Sequence, residues 1–138
     1  MKTTIKWVDK IGFEGATDSG HKIMMDGTEK FGGENRGARP MEMILLGLGG
    51  CSSIDVMLML QKSKQDVTDC VCEVTAERAD AIPAVFTKIH VHFVVTGNDL
   101  QDNRVKRAVS LSSEKYCSVS LMLEKACEMS HSYEIVSA

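Results

Sequence analysis

The sequence predicts an α+β domain organised around one long apolar helix. Residues 39–60 are almost all apolar or small, whereas short alternating segments precede them and two longer alternating segments follow. A helix that is apolar on every side is typically buried on every side. The composition is ordinary for a globular protein, with 43% hydrophobic residues, 25% charged residues and a net charge of −3. We therefore expect one domain over residues 1–138, with no basic surface for nucleic acid.

An antiparallel meander is predicted ahead of the helix. Residues 3–8, 11–17 and 21–26 alternate like strands, and turn-forming residues follow the second and the third of them. The loop at residues 27–38 is rich in glycine and charge and contains Arg36. Loops beside rigid elements often carry functional groups, although a solvated connection is the commoner outcome.

The central helix is predicted to begin at Arg39 and Pro40 and to end near Lys64. Proline fits the first helical turn, where its missing N–H would have no partner anyway, and Glu42 meets the positive end of the helix dipole there. The helix is not a convincing membrane span, because Glu42, Asp55, three glycines and two serines interrupt its apolar residues.

Cys51 lies halfway along this helix. Gly47 shares the face of Cys51 one turn earlier, and a glycine costs roughly 1 kcal/mol in a helix interior relative to alanine. Its presence predicts that another element or a ligand approaches closely beside the sulfur. A packing cysteine in a tight helix crossing is at least as good an interpretation, because free cysteines are among the most buried residues.

Two long strands and a helix are predicted next. Residues 68–79 and 85–96 alternate over their whole length and are joined around a proline. A helix then follows from about Asp99 or Asp102 to Lys115, with apolar residues at helical spacing and acidic residues in its first turn.

The C-terminal residues predict a short helix and a last strand. Ser118 and Ser120 suit the cap of a helix that runs to about Cys127, and residues 130–136 alternate as a strand. Cys117 would then lie at a helix N-terminus, where backbone N–H groups and the helix dipole lower the pKa of a thiol.

Cys70 and Cys72 in the first long strand, with His90 and His92 in the second, have the composition of a zinc site. The alternation of the strands argues against such a site, because the cysteines fall on the apolar face and the histidines on the polar face. The predicted apolar face of the second strand consists of Val85, Ile89, Val91, Phe93 and Val95. We therefore predict a structural strand pair without a metal.

The cysteine count predicts a reducing compartment. The chain has five cysteines, an odd number, and they are spread along it. Its N-terminal residues lack the apolar stretch of an export signal. Both observations favour reduced thiols in the cytoplasm over a disulfide framework.

Two motifs carry a family resemblance. Residues 32–56 fit G-G-x-N-x-G-x-x-P-x-E-x-x-L-x-x-L-G-G-C-x-x-x-D-V, and residues 117–120 place the second cysteine in a C-x-V-S context. Together they resemble the OsmC/Ohr family of thiol-dependent peroxidases, and in particular its OsmC-like subgroup. The resemblance covers nearly the whole chain, including the order of strands and helices.

The resemblance implies a fold, a chemistry and a pair of reactive residues. The fold would consist of two antiparallel β-sheets wrapped around central helices, in an intertwined homodimer with its active sites at the interface. Cys51 would be the peroxidatic nucleophile and Cys117 the resolving thiol. The substrate would be an organic hydroperoxide, and a dithiol, of the lipoyl type in the best-studied members, would reduce the enzyme again. No cofactor or metal is implied.

The other site residues follow from departures from the family pattern. Active members carry an arginine in the N-terminal strand region, but here no arginine precedes Arg36, so Arg36 or Arg39 would take that role. The acidic partner corresponds to Glu42, nine residues before Cys51, as in the OsmC-like branch. Ser118 stands where a proline often follows the second cysteine.

Two functions stay open at this point. The retained cysteine pair favours a peroxidase, whereas the missing upstream arginine favours a redox-sensing or small-ligand-binding dimer with little turnover. Position alone favours Cys117 as the first thiol to react, but we expect Cys51 to react first. A helix N-terminus favours Cys117 as the more acidic thiol, whereas the resemblance and the open helix face at Gly47 favour Cys51.

Overall fold

The structure is a computed structural model that describes residues 1–138. The chain divides into two compact units, Met1–Leu45 and Leu46–Ala138, and the boundary between them falls inside the long helix. Each unit contains one three-stranded sheet. The predicted α+β class is confirmed.

The N-terminal unit is an antiparallel meander followed by the start of the long helix. Strands β1 (Thr3–Asp9), β2 (Gly12–Thr17) and β3 (Lys22–Met25) are neighbours in that order. A 3-10 turn at Glu29–Phe31 precedes helix α1 (Pro40–Lys62). The predicted meander and helix are confirmed, with every boundary within two residues of the prediction.

A buried carboxylate organises the loop between β3 and α1. Asp26 accepts hydrogen bonds from the N–H of Gly27 at 2.8 Å, of Glu34 at 3.1 Å and of Arg36 at 3.3 Å. The Arg36 side chain donates to the same carboxylate through Nε at 2.9 Å and also pairs with Asp9. The guanidinium, together with the N–H donors, holds the pKa of Asp26 far below its usual range despite its burial. The loop is therefore held by a fully paired charge.

The C-terminal unit contains the rest of α1, a second sheet and two further helices. Its elements after α1 are β4 (Asp66–Arg78), β5 (Phe86–Asn98), α2 (Asp102–Leu111), a π-helical turn (Ser112–Tyr116), α3 (Ser118–Leu123) and β6 (Glu128–Ser137). The long helix predicted to reach Lys115 is thus α-helical only to Leu111 and continues as the π-helical turn. The core consists of one face of β5, one stripe of α1 and the buried side of α2.

The second sheet corrects the expectation that both sheets are antiparallel throughout. Its order is β4-β5-β6, and β4 and β5 pair antiparallel as predicted, but β6 pairs parallel to β5. The reason is the connection, because α2, the π-helical turn and α3 separate the two strands. A helical connection of this length carries the chain back to the start of β5, from which the new strand runs in the same direction.

The face assignment of β5 is confirmed with one change. Ile89, Val91, Phe93 and Val95 are buried, in alternation with half-buried residues. Val85 lies before the strand and is exposed, and its neighbour Phe86 is buried instead. A register shift where β4 ends, between Glu77 and Arg78, breaks the strict alternation at this end of the sheet.

Helix α1 is not buried on every side within one chain, contrary to the prediction. Its buried residues form a single stripe: Leu48, Ser52, Val56 and Leu60. Leu46, Ile54 and Leu58 are 62%, 64% and 60% exposed. The residues of the C-terminal unit cover one stripe of the helix and leave the rest of its apolar surface open. By length and composition alone α1 could cross a membrane, but a core helix passes the same test.

Candidate active site

Two thiols and a carboxylate meet inside the C-terminal unit. The sulfurs of Cys51 and Cys117 and a carboxylate oxygen of Asp55 all lie within 4.8 Å of one another. Both cysteines are free thiols; Cys117 is completely buried and Cys51 half-buried. The structure thus brings together the two predicted reactive cysteines, which are 66 positions apart in the sequence.

The π-helical turn and the start of α3 position Cys117. The N–H of Cys117 donates to the carbonyl of Ser112 at 2.9 Å, which closes the turn. Its sulfur then caps α3 by accepting the N–H of Ser120 at 3.4 Å. The predicted helix start is confirmed, but the cap residue is Cys117 itself and not a serine.

Helix α1 positions the other two groups. Cys51 and Asp55 are four residues apart and therefore lie one above the other on the same face. Ser52, on the buried stripe, donates its hydroxyl to the sulfur of Cys117 at 3.3 Å. The hydroxyl of Ser112 lies 3.3 Å from both the carbonyl oxygen of Ser52 and Oδ2 of Asp55. These two serines tie α1 to the turn that holds Cys117.

Asp55 has no counter-ion. Its only side-chain hydrogen bond is the one from Ser112, and no Lys, Arg or His nitrogen lies within 4.0 Å of its carboxylate. The residue is half-buried. A partly desolvated carboxylate beside two thiols disfavours a further negative charge on the sulfurs.

Burial raises the pKa of the Cys117 thiol, and the adjacent Cys51 thiol raises it further. The hydroxyl of Ser52 and the N–H of Ser120 act in the opposite direction but do not outweigh burial. The prediction that a helix N-terminus lowers the pKa of Cys117 is therefore wrong. Desolvation destabilises the thiolate of a completely buried sulfur more than one cap hydrogen bond stabilises it. Burial thus favours the protonated form of the Cys117 thiol.

A groove of about 660 Å³ opens beside the cluster, and Asp55 forms part of its wall. Leu58, Met59 and Leu111 contribute apolar surface. Three cations line the same groove: Lys62, Arg104 and Arg107. None of the three forms an ion pair within the chain. The groove therefore suits an organic molecule with an acidic group.

The other three predicted site residues belong to the N-terminal unit. Arg36 pairs with Asp26 and Asp9, as described above. Arg39 precedes the first residue of α1, and its N–H donates to the Glu42 carboxylate at 2.8 Å. This is the return contact of a capping box, so Glu42 stabilises the start of the helix. The guanidinium of Arg39 donates to Asn35 at 2.8 Å and pairs with no carboxylate.

The strand cysteines and histidines lie on opposite faces of the second sheet, as predicted. Cys70 and Cys72 alternate with exposed residues of β4 on its half-buried face. The register pairs Cys72 with Phe93 and places His92 beside Glu73, on the other face. Both histidines form hydrogen bonds with serine hydroxyls of β6, with nitrogen–oxygen distances of 2.7 Å. The pleat therefore keeps these four side chains from meeting around one ion.

Sequence reasoning missed the polar partners of the cysteines. The sequence analysis assigned no site role to Ser52, Ser112 or Asp55. The one available signal was the spacing of Cys51 and Asp55, four residues apart on a helix. The cations of the groove had no signal, because Arg104 and Arg107 are ordinary charged residues on an amphipathic helix.

Comparisons with known proteins identify the family and the fold of the chain. A family model described as OsmC-like protein matches residues 32–132. Protein YhfA of Escherichia coli strain K12 is 52% identical over 138 residues, which cover 100% of both chains. A hypothetical protein from Aquifex aeolicus VF5 has a TM-score of 0.87 at 28% identity, with 99% of this chain and 96% of that chain covered.

A more distant structure shares the fold. The organic hydroperoxide resistance protein OsmC from Legionella pneumophila has a TM-score of 0.71 at 18% identity, with 97% of both chains covered. The family model and the E. coli relative confirm the resemblance to the OsmC/Ohr family drawn from the sequence.

Proposed function

This chain belongs to the OsmC-like family, and we propose that it reduces organic hydroperoxides through Cys51 and Cys117. The observation that carries the proposal is the meeting of the two sulfurs within 4.8 Å of each other, with neither in a disulfide. Family membership and the hydroperoxide resistance proteins among the structural neighbours support a redox role related to peroxides.

The proposed reaction has three steps. The Cys51 thiolate attacks the terminal oxygen of the hydroperoxide, the O–O bond breaks, and the alkoxide takes a proton and leaves as an alcohol. The Cys117 sulfur attacks the resulting sulfenic acid, its thiol proton and the hydroxyl leave as water, and a disulfide forms. A dithiol then reduces this disulfide by two exchange steps and becomes a cyclic disulfide itself.

The surroundings of the two thiols support Cys51 as the first to react. Cys117 is completely buried, and its raised pKa keeps it protonated, which suits a thiol that waits for the sulfenic acid. Cys51 is half-buried and hence more accessible to a peroxide. The hydrogen bonds from Ser52 and Ser120 then stabilise the Cys117 thiolate as it forms during resolution.

The groove supports an organic substrate. Its apolar wall suits a hydrocarbon group, and its three unpaired cations suit a carboxylate or a similar acid. Of Arg36 and Arg39, we prefer Arg39 for the role of stabilising a thiolate. Two carboxylates already neutralise Arg36. Glu42 supports this role by fixing the backbone of Arg39.

A homodimer is part of the proposal. Ile54 and Leu58 leave apolar surface open on α1, and Ile5 and Trp7 do so on β1. Gly47 has open space around the position of a Cβ, so nothing within the chain explains why this helix position is a glycine. A second copy would cover such surfaces with an obligate interface above about 2,000 Å² in total. A monomeric mass in sedimentation at micromolar concentration would exclude it.

The proposal extends to domain organisation and location. Residues 1–138 are assigned to one OsmC-like domain, since the boundary between the two units falls inside α1 and the E. coli relative is matched over its full length. The five free thiols suit the cytoplasm, where a dithiol reductant is available.

Peroxide consumption tests the proposal. The reduced protein receives cumene hydroperoxide and dithiothreitol or dihydrolipoamide, and peroxide loss is followed over time. We expect turnover in the wild type, a fall of at least about 10³-fold in Cys51→Ser and wild-type turnover in the matched control Cys72→Ser. Dimedone should label Cys51 in Cys117→Ser and should not label Cys117 in Cys51→Ser. The reverse labelling would exchange the two roles.

A redox-sensing or ligand-binding dimer is the second candidate. The observation in its favour is the neutralised Arg36, which leaves fewer cations to activate a thiolate. The same assay separates the two functions. Absence of turnover with several peroxides and dithiols, together with stoichiometric formation of the Cys51–Cys117 disulfide, would favour the sensor.

A further inference from the structure

Asp55 is the one charged group of the cluster to which the peroxidase reaction gives no role. It is half-buried, lacks a counter-ion and lies within 4.8 Å of both sulfurs. A carboxylate in this position disfavours a second negative charge on the thiols. A nucleophilic thiol pair would react better without it. The residue therefore needs another explanation.

We propose that Cys51, Asp55 and Cys117 form a three-ligand site for a thiophilic divalent cation, with zinc as the best fit. Two thiolates and one carboxylate are ligands that zinc accepts, and three protein ligands leave the fourth position open. In a tetrahedral zinc site the ligand atoms are about 3.5–3.8 Å apart. The ligand atoms here are at most 4.8 Å apart, so they would have to approach one another by only about 1 Å to reach these distances.

The surroundings already resemble those of a metal centre. Ser112 donates to Asp55 at 3.3 Å, and Ser52 donates to Cys117 at 3.3 Å, so two ligands have a hydroxyl that orients them. Cys51 and Asp55 are one helical turn apart, a spacing that places two ligands on one side of an ion. Asp55 lines the groove, which gives the ion a route of entry.

The charges of the site are consistent with such an ion. Two thiolates and a carboxylate carry three negative charges, of which a divalent cation neutralises two. Lys62, Arg104 and Arg107 line the same groove as Asp55 and lower the negative charge of its surroundings.

Metal binding at this site would regulate peroxide reduction, and this part of the inference rests on the proposed function. Binding exchanges two thiol protons for one metal ion and occupies the nucleophile, so the loaded protein cannot attack a peroxide. In the metal-free form the two thiols reduce a hydroperoxide to an alcohol and water and become a disulfide, which removes two of the three ligands and prevents the ion from binding. Metal occupancy and peroxide reduction would therefore exclude each other.

Cobalt absorption tests the site without any peroxide. Co²⁺ is added to the reduced full-length chain under argon, and thiolate-to-cobalt charge transfer is followed in the near ultraviolet, with zinc competition for affinity. We expect one ion per chain, displacement by zinc, and loss of the band in Cys51→Ser and in Cys117→Ser. Asp55→Asn should weaken binding by about 10–100-fold. The matched control Cys70→Ser/Cys72→Ser should bind like the wild type.

An experiment without any substitution guards against misfolded variants. Oxidation of the wild type with diamide should abolish the band, and reduction should restore it. A band that survives oxidation, persists without Cys51 or Cys117, or disappears in the Cys70/Cys72 control overturns the inference, as does the absence of binding at millimolar cobalt. Peroxide turnover by a chain that binds no cobalt would overturn this inference alone, whereas cobalt binding by a chain without turnover would overturn only the proposed function.

Discussion

The chain contains two polar clusters that differ in how completely their charges are paired. In the N-terminal unit, Asp26 accepts three backbone hydrogen bonds and pairs with Arg36, whose charge in turn is shared with Asp9. In the C-terminal unit, Asp55 has one hydroxyl donor and no cation, and it lies beside two thiols.

The difference teaches what each cluster can do. A buried carboxylate with all its partners fixes one loop conformation and has no capacity for a further ligand. A carboxylate and two thiols with incomplete partners can still bind a cation or exchange electrons. The first cluster therefore stabilises structure, and the second keeps the chemical capacity on which the proposed functions depend.

Removal of the Asp26 charge should have the largest effect on stability. Asp26→Asn removes the buried carboxylate that accepts from Arg36 and from three backbone N–H groups, and breaking a buried ion pair in this way is strongly destabilising. We expect hydrogen-exchange protection of the amides in β1, β2 and β3 to fall by about 100-fold. Asp9→Asn is the matched control, because Asp9 is exposed and should contribute little. Equal losses in both variants would contradict the comparison.

A hydrogen bond in the thiol cluster should affect rate more than stability. Ser52→Ala removes a donor to the Cys117 sulfur, and a hydrogen bond to a charged group contributes about 1.5–3 kcal/mol. Resolution of the Cys51 sulfenic acid should therefore slow by at least about tenfold, while its formation keeps the wild-type rate. Stopped-flow measurement with a fluorogenic sulfenic acid probe separates the two steps. An unchanged resolution rate would show that the Ser52 donor is dispensable.

A cysteine outside the cluster should affect stability alone. Cys72 faces α1, where its sulfur lies 3.8 Å from the position of a Cβ on Gly49. Cys72→Ala should lower the free energy of unfolding by about 1 kcal/mol, as expected for a small half-buried side chain. Urea unfolding measures the loss, and Cys70→Ala and Cys127→Ala should behave alike. Loss of redox activity in a folded Cys72→Ala variant would assign this cysteine to the site.

The smallest effect concerns alkaline pH. Burial raises the pKa of four thiols: Cys70, Cys72, Cys117 and Cys127. Near pH 9 the unfolded thiols begin to lose protons that the folded thiols retain, so the unfolded state binds fewer protons and stability falls as the pH rises. Below that pH the thiols contribute no slope.

Urea unfolding of the reduced protein at pH 7 and pH 10 checks this expectation. The double variant Cys70→Ala/Cys72→Ala should show a smaller difference between the two pH values than the wild type. An equal or larger difference would assign the alkaline slope to groups other than these thiols.

The sequence alone determined the order and type of nearly every element. Alternation identified β1 to β6, and the proline, the glutamate and the apolar run of residues 40–62 identified α1. These are local signals, set by backbone geometry and side-chain periodicity. The opposite faces of Cys72 and His92 also followed from alternation. The choice of Cys51 and Cys117 as candidate reactive residues came from the two sequence motifs.

Only the tertiary structure decided which distant groups meet and how their surroundings change the pKa of a buried thiol. The parallel direction of β6, the one buried stripe of α1 and the contact of Ser112 with Asp55 depend on residues far apart in the chain. The raised pKa of Cys117 is the clearest case. A local helix N-terminus predicted a lower value, but desolvation depends on everything packed around the sulfur, which no local pattern records.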